Sequence, residues 1–266
     1  MFQNGLPDQS LPSMEDLQHN NEYILISGSS SGIGREIALS LSEYYNIILH
    51  GRNNQKLLEV AQSCQKNHKT IIWNYDLTDS DNIESGLKDF IRFNKIKISN
   101  FIHSAGQMKM YPLKMVSQRL LYETMSINLI SAILICKTLT SKPVNGSILK
   151  NIVFISSNIS NFGAKAMSVY GASKSALDGF MRSLAVELAP GTRVNSILPG
   201  GIKTEMTESI FENTEIVERM KSQYPLGFGK TTDIADVVKF LISDQSRWIT
   251  GQQLIVDGGR TINISG

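Results

Sequence analysis

Cysteine is scarce in this chain: its 266 residues include only Cys64 and Cys136. Both fall in segments of helical texture, and neither belongs to a ligand-spaced cluster. That disfavours a disulfide framework, a redox pair or a metal site, and points to buried thiols in a reducing compartment. An excess of one charge is missing too. The 26 basic residues against 24 acidic ones leave a formal charge of +2 with no block of like sign, so neither nucleic acid nor an anionic membrane is expected as a partner. Residues 1–22 hold Asp8, Glu15, Asp16 and Glu22 but no Lys or Arg. A secretory leader needs a positive start and an unbroken apolar stretch, and this segment has neither. No unbroken apolar run approaches the roughly 20 residues that span a bilayer. The expectation is a cytoplasmic protein without a membrane segment. A fixed-period repeat and a composition shift marking a second domain are also absent.

What the chain does have is the composition of a well-cored globular protein, with 41% hydrophobic and 19% charged residues. Residues 1–22 are polar, carry Pro7 and Pro12, and are expected to form a flexible or loosely docked extension. From Tyr23 the texture changes to short β-rich runs alternating with amphipathic segments. The runs are Tyr23–Ile26, Ile47–Leu49, Thr70–Trp73, Asn100–Ile102, Asn151–Ile155, Arg193–Ile197 and Gln253–Val256. Between them lie expected helices near 33–44, 55–66, 82–93, 115–141, 168–189 and 232–243. Strands apolar on both faces and separated by helix-length segments imply a parallel sheet covered on each side. The predicted fold is α/β, a single doubly wound Rossmann-type domain over residues 23–266 with a mostly seven-stranded sheet.

The first strand runs into Ser27-Gly28-Ser29-Ser30-Ser31-Gly32-Ile33-Gly34. Glycines there would let backbone approach a pyrophosphate, and the helix that follows offers unpaired N–H groups and a favourable dipole. A glycine cluster alone is weak evidence. Its position after the first strand and before a helix gives it weight. The second strand ends at Leu49-His50-Gly51-Arg52. An NAD site would place an acid there for the ribose 2′-hydroxyl. Gly51 stands in that place, and Arg52 beside it could hold a 2′-phosphate through paired charge-assisted hydrogen bonds, which points to NADP(H). A loop Arg is ordinarily a solvated surface group, so the lost acid matters as much as the gained base. Arg35 could assist, or simply decorate a helix face.

Further on, the strand at Asn151–Ile155 leads into Ser156-Ser157, and Tyr170 and Lys174 stand four apart on an expected helix, sharing a face. Free tyrosine has a pKa near 10, a poor match to proton transfer at neutrality, and a nearby ammonium favours the phenolate. Tyr-x-x-x-Lys alone is a common accident, and a lone serine at a strand end is usually a cap. In this order, after a phosphate loop with G-x-x-x-G-x-G spacing, the set resembles the short-chain dehydrogenase/reductase family over roughly residues 23–259. Within that family the 3-oxoacyl-carrier-protein reductases are the most similar in size and motif order.

The resemblance implies roles. Tyr170 would exchange a proton with the carbonyl oxygen and Ser157 would position that oxygen. Lys174 would bind the nicotinamide ribose and lower the Tyr170 pKa. Asn128, in Met125-Ser126-Ile127-Asn128-Leu129, would hold a helix kink and a structural water. The cofactor would contact Gly28, Ser30, Ser31, Gly32, Ile33 and Gly34, then Asp76-Leu77 and Ser104-Ala105-Gly106. His103-Ser104 departs from the family's Asn-Asn at the last of these, leaving Ser104 to replace an amide. His103 is better read as a hydrogen-bonded strand-end residue than as an acid–base group. Pro199, Gly200, Ile202 and Thr204 match the loop over the nicotinamide, residues 203–224 match a mobile lid, and Asp257-Gly258-Gly259 matches the C-terminal signature.

The function implied is reduction of a ketone, or the reverse oxidation, on a small-molecule substrate that can be carrier-protein- or CoA-linked. Gln107–Pro112 lacks the Thr-Arg-Asp that 3-oxoacyl reductases often carry, which keeps a sugar or other polar ketone open as the substrate. A non-catalytic cofactor sensor would be expected to lack Tyr170 or Lys174. A homo-oligomer, a tetramer by resemblance, is expected from the apolar faces at Leu129–Leu139 and Leu177–Leu188.

Overall fold

A computed structural model describes residues 21–212 and 214–263. Residues 1–20 of the expected extension lie outside the described residues. The first strand, β1, spans Glu22–Ser27, and the rest of the sheet follows as β2 (Asn46–Gly51), β3 (Thr70–Asn74), β4 (Lys97–His103), β5 (Asn151–Ile155), β6 (Arg193–Pro199) and β7 (Gln253–Val256). The main helices are α1 (Gly32–Leu41), α2 (Asn54–Ser63), α3 (Ile83–Asn94), α4 (Gln118–Met125), α5 (Ser131–Thr140), the short α6 (Lys142–Asn145) and α7 (Ser168–Leu188). Residues 203–224 contain two short helices, α8 (Glu208–Phe211) and α9 (Thr214–Lys221), and α10 (Thr231–Ile242) precedes the last strand.

All strand pairs are parallel and the order is β3-β2-β1-β4-β5-β6-β7. Because β1 is flanked by β2 and β4, the chain winds one way from β1 to β3 and the other from β4 to β7. The crevice at that reversal, beyond the strands' carboxyl ends, is where such sheets bind ligands. Ser27 at the end of β1 pairs in register with His50 and His103, the ends of its two neighbours.

Alternation along each strand feeds two cores. Leu25, Ile48, Phe101 and Phe154 pack with Leu87 and Ile91 of α3, Ile135 of α5, and Leu177 and Met181 of α7. Ile26, Leu49, Ile155 and Ile197 pack on the other face with Ile37 of α1, Leu57 of α2, and Ile234 and Val238 of α10. Burial on both faces is why these strands read as continuous apolar runs. Both cysteines are buried, Cys136 within α5 and Cys64 at the cap just past the end of α2.

α4, a π-helical turn at Ser126–Ile130 and α5 form one 23-residue rod, Gln118–Thr140, long and apolar enough to cross a membrane by length and composition, although no unbroken apolar run of that length exists. The rod carries Arg119, Glu123 and Lys137, and one side of it packs on α3 and α7.

Candidate active site

At the adenosine-facing end of the crevice, Gly28 has φ +71°, and a Cβ there would lie 2.6 Å from the Ala105 backbone. A Cβ on Gly34 would lie 2.2 Å from the Gly28 carbonyl oxygen. These two glycines are therefore required by the loop's own packing, before any ligand is considered. Ser31 caps α1 in extended geometry without a side-chain hydrogen bond, and no acid stands in the first turn. The amides of that turn are left for an anion, as helix N-termini commonly offer.

A cleft of about 390 Å³ opens in front of them. Gly28, Ser30, Ser31, Arg52, Asp76, Leu77, Ser104, Ala105 and Gly106 line it, as the sequence implies. Gly32, Ile33 and Gly34 turn into α1 behind the lining, while Pro199, Gly200, Ile202 and Thr204 form the facing loop. Thr204 touches the phosphate loop, since a Cβ on Gly32 would lie 3.3 Å from it. Arg52 is exposed at the edge of the cleft, and Gly51 behind it is buried.

Sequence reading missed His50, Tyr75, Gln107, Met108, Lys109, Ile127 and Met206, which also line the cleft. His50 and Tyr75 carried a signal in their places at or just past strand ends. The His50 ring lies 4.8 Å from that of Trp73, which stacks on Tyr75 at 5.4 Å. His50 is buried and its Nδ1 accepts from the Gly28 N–H at 3.4 Å; burial lowers its pKa to about 4. His103 pairs through Nδ1 with the Ser27 hydroxyl at 2.9 Å, and burial lowers it to about 3. It is the hydrogen-bonded strand-end histidine expected. Among the described residues no cluster of three or more His, Cys, Asp or Glu is placed to hold a metal ion.

The other end of the crevice is built by β5 and α7. Ser157 leaves β5 extended, and its Oγ accepts from the Ile159 N–H at 3.2 Å, capping a short turn. The ordinary capping role of a strand-end serine is thus real. The same hydroxyl faces Tyr170 closely enough to pull its pKa downward. Tyr170 and Lys174, at 8% and 4% exposure, project from one face of α7. Lys174 Nζ donates to the Ile155 carbonyl at 2.8 Å and stands 6.0 Å from the centre of the Tyr170 ring. Burial pulls the Lys174 pKa down to about 8, with Asp178 opposing. Asp178 also accepts from the Ser156 hydroxyl at 2.9 Å.

One expectation is corrected here. The Tyr170 pKa is raised, because burial, the larger cause, lifts it and the Ser157 hydroxyl only partly offsets that. Lys174 does not by itself prepare a phenolate. The Asn128 amide finds protein partners. Its Oδ1 accepts from the Gln107 N–H at 2.7 Å, and its Nδ2 donates to the Gln107 carbonyl at 3.1 Å and to Ser173 Oγ at 2.9 Å. Asn128 sits inside the π-helical turn. These elements converge on Gly106, where a Cβ would lie 3.4 Å from Lys174 Nζ and 3.6 Å from Asn128 Oδ1. A side chain there would crowd the ammonium. The α1 amides and the cleft in front of them suit a dinucleotide.

Comparisons with known proteins agree with this geometry. Residues 28–261 match a family model described as enoyl-(acyl carrier protein) reductase. The chain is 33% identical to carbonyl reductase family member 4 of Xenopus laevis, over 90% of this chain and 98% of that one. It is 30% identical to the 3-oxoacyl-acyl-carrier-protein reductase FabG of Staphylococcus aureus (strain Mu50), over 88% and 96%. The solved structure of a 4-hydroxyisoleucine dehydrogenase complexed with NADH superposes with a TM-score of 0.85 at 30% identity, covering 91% of this chain and all of that one.

Proposed function

The chain belongs to the short-chain dehydrogenase/reductase family of oxidoreductases, and from that premise we propose that it is an NADPH-dependent carbonyl reductase with Tyr170 as its proton donor. The observation that carries the reading is the joining of two features along one crevice. A buried Tyr170 faces Ser157 beside Lys174 at one end, and Arg52 with no carboxylate before Glu59 stands at the other.

The residues then divide the work. Ser30, Ser31 and Arg52 hold the 2′-phosphate, and the α1 amides hold the diphosphate. The adenine rests against Asp76-Leu77, and Ser104-Ala105-Gly106 follow the ribose. Lys174 takes the nicotinamide ribose hydroxyls past Gly106, and Pro199, Gly200, Ile202 and Thr204 close over the nicotinamide. When bound, NADPH supplies the hydride for the carbonyl carbon. Ser157 donates to the carbonyl oxygen and orients it, and Tyr170 gives that oxygen its phenolic proton, so that carbon gains the hydride and oxygen the proton. Burial keeps Tyr170 protonated, the form that proton donation needs, and Lys174 steadies the phenolate as it forms. Asn128 holds the kink that places Gln107 and Ser173 around this group.

The similarity to a 3-oxoacyl reductase favours a 3-oxoacyl thioester, carrier-protein- or CoA-linked. A second reading, a polar ketone, is favoured by Lys109 in the cleft wall and by the resemblance to a structure named for a hydroxy amino acid dehydrogenase. NADPH consumption measured against acetoacetyl thioesters and a panel of keto-sugars and keto-acids separates them, and no turnover on any ketone with either nicotinamide cofactor would refute the proposal. We also assign the enzyme to the cytoplasm as a homotetramer, on the exposed Leu121, Tyr122 and Ile130 along the α4–α5 rod. Sedimentation showing a monomer at micromolar concentration would refute the assembly.

A further inference from the structure

Gly200 and Gly201 sit side by side after β6, yet neither has a positive φ. Their lack of a side chain serves packing. A Cβ on Gly200 would lie 2.7 Å from Asp257 Cβ and 3.1 Å from the Tyr224 ring. One on Gly201 would lie 2.9 Å from the Tyr224 hydroxyl oxygen and 3.2 Å from Phe228. Tyr224, at the root of the lid, is 6% exposed, and its hydroxyl oxygen accepts from the Gly201 N–H at 2.9 Å.

The Gly201 peptide is held from its other side too. Gly229 N–H donates to the Gly201 carbonyl at 3.1 Å, and Ile202 and Gly229 form an isolated parallel bridge. Tyr224 in turn is gripped by the C-terminal turn. The Arg260 guanidinium lies 5.6 Å over its ring and bonds Gln223 at 3.2 Å, while Leu226 N–H donates to the Gly258 carbonyl at 3.0 Å. The Phe228 ring lies tilted at 5.1 Å from that of Tyr224 and meets Phe211 of α8 edge-on at 4.9 Å. A phenylalanine would fill the same space at 224. What the hydroxyl adds is an acceptor for one backbone amide, next to the loop that packs on Gly32 through Thr204.

We infer that Tyr224 is a positioning residue: its hydroxyl fixes the Gly201 peptide, and through it the Ile202–Thr204 loop that closes on the nicotinamide half of the cofactor. This rests on the reading of the crevice as a dinucleotide site. Tyr224 touches no reacting atom and acts only through the loop, so its loss should be felt by a full dinucleotide and not by its adenosine half.

The test titrates NADPH and 2′,5′-ADP into the full-length wild type and into Tyr224→Phe, Gly201→Ala, the double variant and Arg260→Ala, with thermal melts on each. Losing one buried hydrogen bond should weaken NADPH binding by about tenfold and lower kcat. The affinity for 2′,5′-ADP should stay within about twofold. Gly201→Ala alone should be worse than Tyr224→Phe, and the double variant should recover part of its loss because the clashing oxygen is gone. Arg260→Ala removes the cation on the ring but spares the hydrogen bond, so it should leave the NADPH to 2′,5′-ADP ratio unchanged. The inference is overturned if Tyr224→Phe keeps that ratio, if the two substitutions are additive, if Arg260→Ala lowers the ratio equally, or if Tyr224→Phe does not fold. A wild type that binds neither NADPH nor NADH would instead remove the dinucleotide reading beneath it.

Discussion

The two ends of the crevice are built on opposite plans. At the reacting end Asn128, Ser156, Ser173, Lys174 and Asp178 are buried and joined through hydrogen bonds to one another or to backbone. At the other end the group proposed to discriminate between cofactors is one exposed side chain, Arg52, beside a buried glycine. A buried, hydrogen-bonded network resists partial change, since removing one member strands another away from water. An exposed cation loses only what solvent and salt leave it. Substitutions at the reacting end should therefore act nearly all-or-none, and those at the adenosine end by degrees.

The hardest push on that contrast is Tyr170→Phe. It should lower kcat by ~10²–10⁴-fold, the usual contribution of a general acid, with NADPH binding within a few fold. Retaining more than about a tenth of kcat would remove Tyr170 from proton transfer.

Lys174 tests the same end through stability. Its folded pKa of about 8 lies below the free value of 10.5, so between those values the unfolded chain binds more protons and stability rises with pH. The penalty for burying the ammonium, roughly 3 kcal/mol at ~1.4 kcal/mol per pH unit, is in force below pH 8 and relieved by about pH 10.5. The stability of wild type relative to Lys174→Met, from urea melts, should climb by that order over this window. A flat difference would show that the ammonium is not buried as described.

Arg52→Ala should give a graded answer. Wild type should prefer NADPH over NADH by roughly ten- to a hundredfold in kcat/KM, from ~1.5–3 kcal/mol of charge-assisted bonding. The substitution should erase most of that by weakening NADPH use while sparing NADH. Equal loss with both cofactors would show that Arg52 does not read the phosphate.

The smallest effect expected is one of packing. A Cβ at Gly51 would meet Ser30 at 3.2 Å and Leu57 at 3.4 Å. Gly51→Asp should thus move preference further toward NADH while lowering Tm by about 2–4 °C, equivalent to ~1 kcal/mol in a domain of this size. Adding Ser30→Gly should restore the Tm; if it does not, the crowding lies elsewhere.

The contrast between the ends also marks what could be read in advance. Strand runs such as Ile47–Leu49 and Asn151–Ile155 were legible because both faces are buried, and Tyr170 with Lys174 because four residues make one turn of α7. Partners set far apart in sequence were not. Asn128 meets Gln107 and Ser173 because a π-helical turn aims its amide there, and no spacing announces that. Ser156 pairs with Asp178 across 22 residues, and the pairing of Tyr224 with Gly201 needs the whole lid to be folded back.

By itself the sequence determined the layered sheet, the place of the crevice and the kinds of group within it, because periodicity and local motifs act over a few residues. Only the tertiary structure decided their states. Burial raised the Tyr170 phenol and lowered Lys174 and both buried histidines. Close packing, with no positive φ, made Gly34, Gly200 and Gly201 necessary. Solvation and steric exclusion are set by whatever lies within a few ångströms, and chain order does not record which distant residues those are.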